Sequence, residues 1–92
     1  MKFSLGRVVM TIGVATEMEN DIEFMLEVNE SLKRFLNCDW GDMSLDDLKM
    51  NDDAVENGND RIFAAYNTSK GKIWIITEWD RSATTILFPS EY

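Results

Sequence analysis

The residues best suited to chemistry lie together near the end of the sequence, at Glu78, Asp80 and Arg81. Glu78 and Asp80 are two positions apart at a predicted strand end, so both carboxylates can face one side, with Arg81 near enough to pair with either. Acting as a general acid and base, they would need one raised and one ordinary pKa. The same residues fit a hairpin turn, in which Asp80 accepts backbone N–H groups and Arg81 makes a local ion pair. We favour the turn and expect no enzymatic activity.

The other candidate sites are also better explained by structure than by chemistry. The chain has no histidine and one cysteine, which excludes disulfide scaffolds, zinc fingers and histidine-based triads. Cys38 follows a predicted helix end, where the helix dipole disfavours a thiolate. Asp39 and Asp42 flank Trp40 and Gly41, but their spacing is not that of a calcium loop. We expect Trp40 to fill the core, Gly41 to permit a bend, and neither a metal nor a cofactor to be bound.

Composition predicts one small folded domain with an acidic surface. The chain has 92 residues, of which 45% are hydrophobic and 11% aromatic, and its formal net charge is −8. That charge argues against direct binding of nucleic acid and against docking on anionic membranes. The apolar run at residues 8–14 is too short to span a bilayer, and a lone cysteine is typical of a reducing compartment. We therefore expect a cytoplasmic protein.

The charge is divided unevenly along the chain. Residues 17–60 contain fourteen acidic and three basic side chains, a balance of −11, whereas the remaining residues have a balance of +3. On the first predicted helix, four glutamates lie within about 80° of arc, opposite the apolar face: Glu19, Glu23, Glu27 and Glu30. Because like charges this dense repel one another, a basic protein partner would offset the repulsion. The predicted partner-binding residues are Glu19, Glu23, Glu27, Glu30, Asp42, Asp46, Asp47, Asp53 and Glu56. The alternative is a solvated face that only increases solubility.

The hydrophobic pattern changes from strand to helix and back to strand. Residues 7–14 predict a strand and residues 19–37 a helix. Residues 45–57 predict a second helix, or two short turns, with Ser44 as the N-cap and Gly58 as the stop. The second helix should contact the core through Leu45, Leu48 and Val55. The predicted core arc of the first helix contains Met18, Ile22, Met25, Asn29, Leu32 and Leu36, widened by Leu26, Val28 and Phe35.

The last third of the chain predicts three strands, at residues 61–67, 72–79 and 83–88. Their short connections favour an antiparallel meander. The middle strand is apolar on both faces and should be central and covered on both sides. The fold class is therefore α+β: a single domain over residues 1–92, in the order β-α-α-β-β-β, with an antiparallel sheet packed against an acidic helical layer.

Several stretches resemble a family of small proteins found on plasmids, integrative elements and phages of Gram-positive bacteria, labelled plasmid-related or restriction-associated. The resemblance covers roughly residues 37–92. It rests on Trp40-Gly41-Asp42 with Asn51 and Gly58, on residues 72–82 and 84–89, and on Glu91-Tyr92, with further likeness at residues 6–8 and 11–14. The resemblance implies a mobile genetic element, a setting in which small acidic proteins often block host DNA-handling enzymes as anti-restriction or anti-CRISPR inhibitors.

Two functions follow as predictions. The first is a non-enzymatic interaction protein of a mobile element whose acidic helical face binds a basic, nucleic-acid-handling host protein. The alternative is a small self-associating module that uses the aromatic face of its sheet, through Trp74, Trp79 and Tyr66, and forms a homodimer through that sheet.

Overall fold

The computed structural model describes residues 2–92, which form three helices, a four-stranded sheet and a terminal 3-10 turn. No helix in this range is both long and apolar enough to cross a membrane. The elements in chain order are β1 (Arg7–Met10), α1 (Ile12–Asn20), α2 (Ile22–Leu36), α3 (Leu45–Asn57), β2 (Ile62–Thr68), β3 (Gly71–Thr77), β4 (Ala83–Leu87) and the 3-10 turn η1 (Pro89–Glu91).

The sheet has the strand order β1-β4-β3-β2. Strands β2, β3 and β4 form the predicted antiparallel meander, with Ala64 opposite Ile75 and Ile75 opposite Ile86. The prediction of a wholly antiparallel sheet is wrong at β1, which pairs in parallel with β4. The reason is topological: the chain leaves β1 through the helices and returns from the other end, and such a crossover makes neighbouring strands parallel. The domain is α+β with a mixed sheet.

The first predicted strand is too long, because the chain turns helical after four strand residues. Ile12 to Val14 belong to α1, and Thr11 is its N-cap. Asp21 then separates α1 from α2 with an extended backbone, and its carboxylate accepts the N–H groups of Glu23 and Phe24. The predicted helix from residue 19 to residue 37 is therefore broken at Asp21, and α2 is most of it. An aspartate N-cap starts α2. Since α1 is an additional helix, the order of elements is β-α-α-α-β-β-β and not the predicted β-α-α-β-β-β.

The buried face of α2 agrees with the predicted arc only in part. Phe24, Val28, Ser31 and Phe35 are buried, with a spacing of four, three and four residues. Val28 and Phe35 are buried as predicted, whereas the predicted core residues Ile22 and Leu26 are 72% and 60% exposed. Phe24, which lies outside the predicted arc, is buried instead. The two phenylalanines fill the core through aromatic contacts with Phe3, Trp40 and Phe88.

Trp40 lies in the core at the corner between α2 and α3, as predicted. Its ring is 3% exposed and lies 5.4 Å from the ring of Phe35, and its indole N–H donates to Asp52 at 2.9 Å. Gly41 follows with φ +78°, and a Cβ at this position would overlap the carbonyl oxygen of Ala65. The bend therefore requires glycine.

Helix α3 has the predicted ends. The Ser44 hydroxyl accepts the N–H of Asp47, and Gly58 ends the helix in the left-handed conformation with φ +68°. Leu45 is 83% exposed, so its prediction as a core residue is wrong, whereas Leu48 and Val55 are half-buried against the core. Fully buried positions of this helix are Asn51 and Ala54.

The outer edge of β2 is sealed by groups that are not a strand. The side-chain amide of Asn51 donates to the carbonyl of Phe63 at 2.7 Å and accepts its N–H at 3.1 Å. Two residues along, the N–H of Ala65 donates to Trp40 and the carbonyl of Ala65 accepts from the N–H of Asp42 at 2.7 Å. Asn51 and the 40–42 segment thus take the place of a fifth strand.

Both faces of β3 are covered, as predicted. Ile73 and Ile75 are fully buried beneath the helices, and Ile76 is 5% exposed on the opposite face. On that opposite face the chain end covers part of the sheet: the ring of Tyr92 packs edge-on against Trp74 at 5.6 Å. This face is therefore covered in part by the chain itself.

Two charged side chains cap helices from distant positions in the sequence. The carboxylate of Glu91 accepts the Thr11 hydroxyl at 2.6 Å and the N–H of Gly13 at 3.0 Å, at the N-terminus of α1. The guanidinium of Arg81 donates to the carbonyl of Ala54 at 2.9 Å, near the C-terminus of α3. An anion at a helix N-terminus and a cation at a C-terminus both complement the helix dipole.

Candidate functional site

The acidic layer, defined here as the fourteen acidic residues between positions 17 and 60, extends over all three helices, the connections between them and the connection after α3. Its members differ in whether the fold already neutralises them. Five have a basic side chain within 4 Å: Glu17, Asp21, Glu30, Asp39 and Asp42. The layer is therefore less uniform than the sequence predicts.

One group of acids holds the β2–β3 hairpin against the helices. The ammonium of Lys70, in the hairpin turn, lies 3.3 Å from Glu17 and 3.3 Å from Asp21. The backbone N–H of Phe24, and then Lys70, lower the pKa of Asp21. The carboxylate of Glu27 accepts both the N–H and the hydroxyl of Ser69 in the same turn. These carboxylates hold the hairpin against the helices, and their hydrogen-bonding capacity is partly used in doing so.

A second group lies around the corner between α2 and α3. Asp42 pairs with Lys72 at 3.1 Å, and this lysine holds the pKa of Asp42 below its usual range. Asp39 accepts the guanidinium of Arg34 at 2.7 Å, which lowers the pKa of that carboxyl. The hydroxyl of Tyr66 donates to the carbonyl of Asp39 at 2.7 Å. This corner is a set of internal contacts that secure the chain between the helices.

The nine predicted partner-binding residues fall into two sets. The first set has partners within the fold: Glu27 bonds to Ser69, Asp42 pairs with Lys72, and Glu30 pairs with Lys33. The Glu30–Lys33 pair is exposed and long, at 3.9 Å. The other six make no side-chain hydrogen bond or ion pair within residues 2–92 and are exposed: Glu19, Glu23, Asp46, Asp47, Asp53 and Glu56. The predicted arc of glutamates is interrupted at Asp21, because Glu19 is on α1 and the rest are on α2.

Four of those six carboxylates lie on α3, together with exposed apolar side chains. Asp46, Asp53 and Glu56 lie on the side of the helix opposite buried Asn51 and Ala54. On the same helix, Leu45 and Met50 are 83% and 61% exposed. We call this surface of α3 the α3 face: Leu45, Asp46, Asp47, Met50, Asp53 and Glu56.

A shallow cleft of about 270 Å³ adjoins the α3 face, between α3 and the sealed edge of β2. Its apolar lining comes from Met43, Met50 and Phe63, and its charged lining from Asp47, Asp60 and Arg61. Sequence reasoning missed the apolar residues of this cleft. The available signal was Met50, an apolar side chain between acids on the polar side of a helix.

The aromatic residues of the alternative prediction do not form one surface. Tyr66 is 1% exposed on the helix-facing side of the sheet, so its assignment to an interaction face is wrong. Trp74 is half-buried on the opposite side, between Phe63 and Tyr92. Trp79 is 64% exposed, in the turn between β3 and β4.

The residues at 78–82 form the predicted turn. The carboxylate of Asp80 accepts the N–H of Ser82 at 3.1 Å, and hydrogen bonds from Ser82 lower the pKa of Asp80. The predicted ion pair of Arg81 is wrong: its guanidinium donates to backbone carbonyls, including those of Ala54 and Asp60. A general acid needs a raised pKa, and Asp80 has the opposite.

Cys38 is half-buried after the end of α2, and burial raises the pKa of its thiol. A protonated thiol is a weak nucleophile.

Neither the family models, nor the curated proteins, nor the solved structures compared with this chain gave a match.

Proposed function

We propose that this protein is a non-enzymatic interaction protein of the cytoplasm whose acidic helical layer binds a basic surface on another protein. The observation that carries the proposal is the α3 face, where four carboxylates without internal partners stand beside exposed Leu45 and Met50. Unpaired acids on a domain of charge −8 repel one another, and a basic partner would relieve that repulsion.

The apolar side chains favour contact over simple solubility. Leu45 and Met50 are 83% and 61% exposed beside these acids and can add apolar contact area that carboxylates alone cannot. Methionine is enriched in protein interfaces, and its flexible thioether adapts to irregular partners. We infer that Leu45 and Met50 are the anchors of the interface and that the cleft beside them receives a side chain of the partner.

The predicted partner-binding acids outside α3 have a different part in the proposal. Glu19, Glu23, Glu27, Glu30 and Asp42 lie outside the α3 face, and three of them already have internal contacts. They would add long-range attraction, which accelerates encounter without fixing the bound geometry.

The proposed partner is a basic protein that normally holds nucleic acid, because such proteins carry large positive surfaces. The resemblance to plasmid-related and restriction-associated proteins of mobile elements supports this choice. In that setting the protein would act as an inhibitor of the anti-restriction or anti-CRISPR type.

The test compares two charge-matched triple variants in affinity capture from host lysate. The first is Asp46→Lys, Asp53→Lys, Glu56→Lys on the α3 face, and the second is Glu19→Lys, Glu23→Lys, Glu30→Lys. We expect the first to abolish capture of the partner and the second to leave capture intact but slow it. Added duplex DNA should compete for the captured protein. Equal capture by wild type and the α3 variant, or capture that is unchanged at high salt, would exclude the proposal.

A second candidate is self-association through the aromatic side of the sheet, favoured by the exposed rings of Trp79 and Tyr92, which are 64% and 74% exposed. It predicts concentration-dependent assembly that is lost in Trp79→Ser. A Trp79→Ser protein that assembles like the wild type would remove this candidate.

A further inference from the structure

The two edges of the sheet are treated differently by the fold. The outer edge of β2 is sealed by Asn51 and by the 40–42 segment. At the other edge, β1 has β4 on one side, and no group within residues 2–92 hydrogen-bonds to its other side. An open edge of this kind is a template for another strand, and natural proteins usually protect it.

The register of β1 fixes which groups are open. The N–H of Arg7 donates to Ser82 and the N–H of Thr11 donates to Ile86, so the odd-numbered residues of β1 bond to β4. The peptide groups of Val8 and Met10 therefore point away from the sheet. Their side chains are 39% and 40% exposed, and Ile12, the first residue of α1, is 85% exposed.

We propose that this edge binds a second copy of the same chain, with the two β1 strands antiparallel about a two-fold axis. Val8 of each copy then lies opposite Met10 of the other, and Val9 lies opposite itself on the axis. In this register the N–H and C=O groups of Val8 each bond to Met10 of the other copy, and those of Met10 bond to Val8. The outward groups of both strands are thereby satisfied by four hydrogen bonds. The interface is self-complementary, as a two-fold interface must be.

Charge supports this register and a second copy as the occupant. The residue opposite Arg7 is Thr11 of the other copy, on the face of the sheet away from the helices. The Thr11 hydroxyl is bound to the carboxylate of Glu91 at 2.6 Å. Within residues 2–92, Arg7 forms no ion pair with an acid and Glu91 forms none with a base. The pairing places each unmatched arginine beside an unmatched glutamate, twice per dimer.

The dimer should be weak. Its contacts are four backbone hydrogen bonds, two ion pairs and a short apolar strip, and each copy carries a net charge of −8 that opposes association. An interface smaller than the standard size predicts a dissociation constant on the order of 10–500 µM.

The test is sedimentation equilibrium of the full chain from about 10 µM to about 1 mM. The wild type should shift from the monomer mass of 10.6 kDa to twice that value. Val8→Pro removes an outward N–H and leaves the hydrogen bonds to β4 in place. Because proline is tolerated on an edge strand, this variant should fold, and it should remain monomeric. Val8→Thr is the matched control, because it keeps the N–H, and it should still dimerise. A wild type that stays monomeric at the highest concentration would overturn the proposal.

Arg7→Glu is the second variant and decides the question if Val8→Pro does not fold. It leaves every backbone bond in place and puts like charges opposite each other twice, so the dissociation constant should rise on the order of tenfold. Trp79→Ser should dimerise like the wild type. Dimerisation that survives Arg7→Glu unchanged, or that is lost in Trp79→Ser, would show that the edge of β1 is not the interface.

Discussion

Removing the Asn51 side chain should destabilise the protein more than any surface substitution. Asn51 is 4% exposed and its amide makes two hydrogen bonds to Phe63, at 2.7 and 3.1 Å. A typical hydrogen bond contributes about 1 kcal/mol, and an orphaned buried group costs about 1–3 kcal/mol. Because water from the adjoining cleft can reach part of the exposed backbone, we expect Asn51→Ala to lose about 2–3 kcal/mol, which lowers the Tm by roughly 10–20 °C.

The assay is urea unfolding followed by tryptophan fluorescence and circular dichroism. Asn67→Ala is the control on the same strand, since Asn67 is exposed and its one side-chain contact, to Asp42, is 3.5 Å long. That control should change the free energy of unfolding by less than about 0.5 kcal/mol. An Asn51→Ala protein as stable as the Asn67→Ala control would refute the explanation given for the sealed edge.

Asn51→Asp tests the same geometry through pH. The introduced carboxyl can accept the N–H of Phe63, but when ionised it cannot donate to the carbonyl of Phe63. Protonation restores that donor, so the folded-state pKa of the new carboxyl should lie above its unfolded value of about 3.9. The recovered stability is fully present below the unfolded pKa and is lost as pH rises through the folded one. Relative to Asn51→Ala, the Asn51→Asp protein should therefore gain stability as pH falls. A difference in unfolding free energy that does not change with pH would contradict the assigned contacts between Asn51 and Phe63.

Two further predictions concern the remote helix caps. Arg81→Met should lower the free energy of unfolding by about 2 kcal/mol in urea and increase amide exchange at the end of α3, because the guanidinium no longer binds the carbonyl of Ala54; unchanged exchange there would contradict this. Glu91→Gln should cost about 0.5–1 kcal/mol at neutral pH. The Thr11 hydroxyl lowers the pKa of Glu91, so this contribution is present above the unfolded pKa of about 4.3 and lost as pH falls through the folded one. The two unfolding curves should converge in acid, and a gap that persists there would count against the cap.

The parts of the fold that depend on local chemistry could be predicted from the sequence. Ser44 and Gly58 set the ends of α3, and the two short connections between the last three strands give the antiparallel meander. In each case the determining groups lie within a few residues of one another. Such signals stay visible in a single sequence.

The parts of the fold that depend on residues far apart in the chain could not be predicted from the sequence. The apolar pattern of α2 predicts Val28 and Phe35 in the core but not Phe24, whose ring packs against Phe88 from the far end of the chain. The parallel pairing of β1 likewise depends on where the chain returns after three helices. No local pattern carries that information.

The acidic layer shows the same division. Its charge balance could be counted directly, and six of the nine predicted residues are exposed without internal partners. The sequence does not reveal that Lys70, Lys72 and Ser69 in the hairpin and its second strand take up the carboxylates of α1, α2 and Asp42. Most of the predicted carboxylates that are left without such contacts are those of the α3 face.

The sealed edge of β2 also limits how large an assembly of this chain can become. A sheet that is open at both edges can add copies at either end without limit, which is the geometry of a fibril. Here Asn51 and the 40–42 segment occupy one edge, so among residues 2–92 only the edge of β1 is open. Once two open edges meet, none remains, and growth through the sheet stops at two chains. Asn51 and the 40–42 segment would therefore prevent the sheet from extending beyond two chains.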